Sequence, residues 1–198
     1  MLEWRVGAVR CRLSLLFPAL LTVLLLSRPE GPVVSCVLAS VVHEGGHLAA
    51  MLWLGYPPRA CTLGAFGMRI RLGERLPGYR QNLLISAAGP LVNLVSAAFL
   101  MWCGRSTAAA VHLTLAIFNL LPAAALDGGE MLRCGLCLLG CERVAVPLLR
   151  LTSALVLLPL AAGSCLLFLR GWGNGTLLIV SLYLVTLVFF SDKSEKNS

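Results

Sequence analysis

Residues 83–103 carry no charged side chain from end to end, and five more apolar segments lie along the chain, at about 13–26, 33–54, 106–126, 144–169 and 175–191. A helix of about 20 apolar residues crosses the hydrocarbon core of a bilayer. Inside that core every backbone polar group must be satisfied by the segment itself, which a helix does and a lone strand does not. The chain is therefore expected to be all-α: a polytopic membrane protein with about six transmembrane helices. Its 58% hydrophobic and 13% charged residues agree, since soluble domains are about a quarter charged. The first segment is short and contains Pro18, and it follows Arg5, Arg10 and Arg12, as a signal peptide would. The Ser27-Arg28-Pro29 sequence after it is a poor cleavage site, so it is read as a helix.

Charge fixes an expected orientation. Six alternating spans put residues 1–12, 55–82, 127–143 and 192–198 on one side, and these hold most of the 16 Lys and Arg. The opposite loops hold only Arg28, Arg105 and Arg170. By the positive-inside rule both termini are cytoplasmic. The net charge of +7 is then loop charge, and no nucleic-acid partner is expected. The longest connection alternates Met68, Ile70 and Leu72 with Arg69 and Arg71, and Gly64, Gly67 and Gly73 punctuate it. It reads as a small membrane-associated β-hairpin at about 59–72, or else as a plain basic loop. No loop has room for a second folded domain, so residues 1–198 are taken as one.

The eight cysteines show no secreted disulfide framework. Cys36, Cys103 and Cys165 lie in apolar runs and read as small hydrophobes. Cys134, Cys137 and Cys141 share a helix face, which fits packing or a metal site.

The second apolar segment contains His43-Glu44-Gly45-Gly46-His47. Ionisable groups are costly at that depth and mark function. Two histidines at i and i+4 lie on one helix face and can converge on one zinc ion. Glu44, beside them, can take a proton from water acidified by the metal and pass it to the leaving amine. A structural His–Glu–His network is the alternative reading. Gly45 and Gly46 would let another element approach closely, and simple helix packing explains them equally well. His112 reads as a packing or interfacial residue.

A catalytic zinc needs a third protein ligand and an open position. Acids near apolar sequence are Asp127, Glu130 and Glu142. Asp127 stands out: Pro122 should bend the preceding helix, and Gly128 and Gly129 permit close backbone approach beside it. A helix end followed by a turn would explain the same residues. In the six-span topology the second and fourth spans run in the same direction, so His43, His47 and Asp127 fall at similar depth toward the cytoplasm.

HEGGH within one span, followed by Asn119-Leu120-Leu121-Pro122 and Leu126-Asp127-Gly128-Gly129, with Gly89-Pro90-Leu91-Val92-Asn93 between them, resembles the site-2 protease family of intramembrane zinc metalloproteases. The likeness covers about residues 33–140, a metal-binding core flanked by helices at about 13–26, 144–169 and 175–191. It implies that one Zn2+ is held by His43, His47 and Asp127, that Glu44 is the general base and acid, and that Asn93 and Asn119 hold substrate or stabilise the oxyanion. It also implies a membrane-tethered protein substrate that adds a strand to the hairpin, regulatory membrane proteins, and a bacterial cell membrane with the active site toward the cytoplasm. The chain looks most like the sporulation group, which processes a sigma-factor precursor. It departs from many relatives at Ala123-Ala124-Ala125, where another proline is common, and at Glu130, where a basic residue is common. Two readings compete with the peptidase: a catalytically silent membrane scaffold or regulator, and an ion transporter using the buried His and Asp.

Overall fold

Among the described residues, glycine in the left-handed region closes four helices, at Gly55, Gly104, Gly140 and Gly171. A residue with no Cβ adopts that backbone freely, and the turn it makes satisfies carbonyls that the last helical turn leaves open. After the first helix, for example, the Tyr56 N–H donates to the Met51 carbonyl at 2.8 Å. The computed structural model describes residues 2–6, 9–13, 32–64, 67–72, 76–171 and 185. These form two compact units, Met1–Ile117 and Phe118–Ser198.

The first unit contains β1 (Leu2–Val6), β2 (Val9–Leu13), α1 (Pro32–Trp53), β3 (Pro58–Gly64), β4 (Gly67–Leu72), α2 (Tyr79–Trp102) and most of α3 (Ser106–Asn119). The hairpin expected at 59–72 is present as β3 and β4, closed by the Gly64–Gly67 pair. It belongs to a larger sheet of order β1-β2-β3-β4, in which β2 and β3 run parallel. The expectation of an all-α chain is met in part: the described residues are mostly helical, and a four-stranded sheet accompanies the helices, with Leu2–Val6 and Val9–Leu13 as two of its strands. Leu2, Trp4 and Val6 alternate with Glu3 and Arg5, and Val9, Cys11 and Leu13 with Arg10 and Arg12. That period of two is a strand's.

The helices α1 and α2 pack closely because Gly46 gives up its side chain. A Cβ there would stand 2.8 Å from the Ala88 carbonyl oxygen. Gly45 meets nothing within 4 Å. Of the two glycines read as contact positions, Gly46 alone is one.

The second unit holds α4 (Asp127–Leu138) and α5 (Glu142–Leu169). Ala123, Leu126 and Leu157 are its buried core, with Phe118, Leu121 and Val156 against them. Fully buried Ser153 on α5 ties down the turn before α4: its Oγ accepts the Ala124 N–H at 2.8 Å and donates to the Leu149 carbonyl at 2.6 Å.

Among the described residues, three helices are long and apolar enough to cross a membrane: Val33–Trp53, Tyr79–Trp102 and Glu142–Leu169. They expose Leu38, Val41, Val95, Phe99, Leu151 and Leu155, among other large apolar side chains. Such surface suits lipid, and the chain is an integral membrane protein. The span expected at 106–126 is shorter: α3 has 14 residues and stops at Asn119. Pro122 is the cause, since proline disfavours helix in the residue before it and cannot donate to the turn behind it. The expected segments at 13–26 and 175–191 lie outside the described residues, apart from Leu13, which ends β2, and Val185.

Candidate metal centre

His43 and His47 stand one turn apart on α1 and are both buried, 6% and 9% exposed. Their Nε2 atoms approach to 3.2 Å with the rings edge to face. The Nδ1–H of His47 donates to the Ile85 carbonyl on α2 at 2.7 Å. A carbonyl can only accept, so this bond puts the His47 proton on Nδ1 and leaves the Nε2 lone pair toward His43. Histidine metal ligands are commonly oriented in this way. Two nitrogens bound tetrahedrally to zinc at about 2.0–2.1 Å stand roughly 3.3 Å apart, close to the 3.2 Å seen.

Gly89 on α2 makes room for both rings. A Cβ there would collide with His47 Nε2 and Cε1 and come within 2.9 Å of His43 Cε1. Asn93, fully buried one turn further along α2, places Nδ2 at 3.2 Å from His43 Nδ1. Its Oδ1 accepts the Nδ1–H of His112 at 3.0 Å. Asn93 thus meets a ring of the HEGGH motif directly. His112, expected to be a packing or interfacial residue, is buried and bonded to Asn93. An imidazole inside an apolar helix was the signal for it. Glu44 is half-buried on α1, and Asn119 is the last residue of α3.

Asp127 is the first residue of α4, so it begins a helix and does not end one. The peptide dipoles at a helix start suit a carboxylate. The close approach expected at the glycines beside it is present. A Cβ on Gly128 would run into the Leu120 and Leu121 carbonyls, and one on Gly129 into that of Ala123. Among the described residues, His43, His47 and Asp127 form a group that could hold a metal ion, each offering one ligand atom, all within 4.8 Å of one another.

The fold is that of a known protease. The chain superposes on the site-2 protease from Methanocaldococcus jannaschii with a TM-score of 0.68, at 21% sequence identity, over 92% of this chain and 91% of that one. No family model matches the sequence, and no curated protein does.

The cysteines of α4 do not form a second centre among the described residues. Cys134 is fully buried, Cys137 is half-buried, and Cys141 is exposed beyond the helix end. The Cys134 thiol donates to Glu130 Oε1 at 3.4 Å. Burial, with the Glu130 charge added, pushes its pKa up to about 11. Glu130 is held by Arg133, whose Nε donates to Oε2 at 2.8 Å, so the acid sits where its basic neighbour on the next turn neutralises it.

Proposed function

We propose that this chain is a zinc-dependent intramembrane endopeptidase. It hydrolyses a peptide bond in a transmembrane or membrane-tethered protein, and residues 1–198 act as one peptidase domain. The observation that carries the reading is the His43, His47 and Asp127 group, on a fold shared with a site-2 protease. His47 is already fixed in the ligand tautomer by Ile85, which supports the same reading.

His43, His47 and Asp127 would hold the ion. Zinc supplies the Lewis acidity that polarises the scissile carbonyl and acidifies water. Glu44 follows His43 directly on α1 and takes no part in binding the metal. Its carboxylate removes a proton from the attacking water and delivers it to the leaving amine. The β3–β4 hairpin offers strand-pairing groups to an extended substrate, and such pairing demands little of the substrate's sequence. Asn119 contributes to substrate or oxyanion binding.

The basic residues at 1–12, 55–82 and 192–198 support cytoplasmic termini and a site opening toward that side. A sporulation sigma-factor precursor in a bacterial cell membrane is the specific substrate suggested by the sequence resemblance, with regulatory membrane proteins as partners.

The test pairs metal analysis with cleavage. Intact protein and Glu44→Gln are each purified and their zinc content measured. Each is then co-expressed with membrane-tethered candidate substrates and the cut site sought by mass spectrometry. Both proteins should hold one zinc, and only the intact chain should cut. Cleavage by Glu44→Gln at the normal rate, or no zinc in well-folded intact protein, would refute the mechanism.

A further inference from the structure

α5 is longer than a bilayer needs, and its charges are gathered at one end. The helix has 28 residues, about 42 Å at 1.5 Å per residue, against a hydrocarbon core of about 30 Å. Glu142, Arg143 and Arg150 all lie in its first third. From Leu151 to Leu169 no charged side chain occurs, and Arg170 follows at once. That uncharged stretch is about 28 Å long and matches the core by itself. The first two turns then stand in the headgroup layer.

We propose that Arg143 and Arg150 bind the phosphate of an anionic phospholipid, whose acyl chain runs along Leu151, Leu155 and Leu158. The proposal rests on the passage of α5 through the bilayer and is independent of the metal centre.

Helix geometry brings the parts together. Residues seven apart share a face, and Arg143 and Arg150 are both exposed. They are roughly 10 Å apart along the axis, but every Cα–Cβ bond in a helix tilts toward its N-terminus. Arg150, at the edge of the core, therefore leans toward Arg143, and its long stem lets the guanidinium snorkel to the headgroups. The guanidinium fork fits a phosphate. Arg150 also interacts within the protein; with its five donors it can do so and still hold a phosphate oxygen. Glu142 lies about 100° away from Arg143 around the helix, on another flank. The start of α5 has no side-chain cap, and its peptide dipoles favour an anion there as well.

On the core side of the arginines, Leu151, Leu155 and Leu158 are 57%, 66% and 52% exposed. Leu151 and Leu158 continue the arginine face. Cations followed along one face by bare leucines complement a lipid with a negative headgroup. A soluble phosphate has no use for the leucines, and a zwitterionic lipid brings its own cation to the arginines.

The experiment uses the full-length chain purified in detergent. Phosphatidylglycerol or phosphatidylcholine is titrated in, and bound lipid is counted by native mass spectrometry. Arg143→Gln with Arg150→Gln is compared with Arg105→Gln with Arg170→Gln, which removes the same charge from two other exposed positions. Wild type should bind phosphatidylglycerol more tightly than phosphatidylcholine. Each basic residue at a membrane surface strengthens anionic-lipid binding about fivefold, so the first double variant should lose about 30-fold. The second should leave the tightest binding step unchanged. Lysine at both 143 and 150 should keep most of the affinity, because the charge remains. Inorganic phosphate should not displace the lipid.

Equal affinity of wild type for the two lipids overturns the proposal. An equal loss in the two double variants does so too, since it would mean general attraction to a basic protein. Displacement of the lipid by equimolar inorganic phosphate would mean that the leucines take no part, and this also overturns it. Should the first double variant fail to fold, Arg143→Gln alone carries the test from the outer end of the helix: a loss of about fivefold is expected, and no loss sinks the site.

Discussion

Gly89→Ala adds one methyl group at the point where α2 meets both histidine rings. Its Cβ would stand 2.9 Å from His43 Cε1 and closer still to His47, whereas carbon atoms pack at about 3.5–4.0 Å. One side or the other must retreat by about 1 Å. Neither ring is free to do so: His47 is tied to Ile85 at 2.7 Å and His43 to Asn93 at 3.2 Å. Overpacking of this kind costs about 1–3 kcal/mol, and a displacement of about 1 Å at a catalytic group can cost 10²-fold in rate. The expected outcome is a chain that still inserts and folds, with lower thermal stability, sub-stoichiometric zinc and cleavage reduced about 100-fold. Gly45→Ala is the matched control, because it lies on the same helix as the rings and an added Cβ meets nothing within 4 Å. Alanine there should be neutral or gain up to about 1 kcal/mol from helix propensity. Zinc content by mass spectrometry and melting temperature in nanodiscs separate the two. Full zinc occupancy and wild-type turnover in Gly89→Ala would refute the reasoning, because the rings would then have slack that the packing denies them.

Asp127→Asn should lower zinc affinity while leaving α4 formed, since asparagine still suits a helix start; unchanged zinc affinity would eliminate Asp127 as a ligand. Ser153→Ala strips the partner from the Ala124 N–H and should destabilise the chain by about 1–3 kcal/mol, read as a fall in melting temperature. Partial loss of zinc should accompany it, because the same turn leads into Asp127. Cys134, buried and with its pKa pushed up to about 11, is almost wholly a neutral thiol at pH 7 and should resist maleimide in the folded protein. Exposed Cys141 should label readily, and equal labelling of the two would contradict the packing of α4.

Long unbroken apolar runs were the most readable part of the fold, because the bilayer imposes their length. The two ends of the chain's logic were harder. At the N-terminus, alternation in Leu2–Val6 and Val9–Leu13 was visible, but the arginines read as cytoplasmic charge or as the lead of a signal peptide. These two strands pair with each other, from Leu2–Leu13 to Val6–Val9, and β2 pairs in addition with β3, more than forty residues on in the chain; no local signal reports that second, distant partner. Around Asp127, proline and paired glycines announced a break but not its direction. Asp127 and Glu130 in the first turn of α4 are themselves a helix-start signature. Read that way, they would have put the carboxylate at the head of a new helix.

The site itself shows how far spacing can go. HEGGH names its own residues because i and i+4 share a face. Asn93 and His112 needed three dimensions, although a trace of them was present. On α2 the buried positions are Ser86, Gly89, Pro90, Asn93 and Ala97. On α3 they are Ala109, His112 and Ala116, and on α1 they include Ala39, His43, His47 and Met51. Pro90 aside, each set repeats at three- or four-residue steps, and those of α2 and α3 are dominated by small side chains. Small residues at that spacing mark the face where membrane helices approach each other. A polar residue in register with such a stripe is therefore held against another helix, away from lipid, and must find its partner there. By that rule Asn93, in step with Gly89 and Ala97, and His112, in step with Ala109 and Ala116, belong to the interior. In hydrocarbon a polar group on a small-residue stripe carries information that the same group on a leucine face does not.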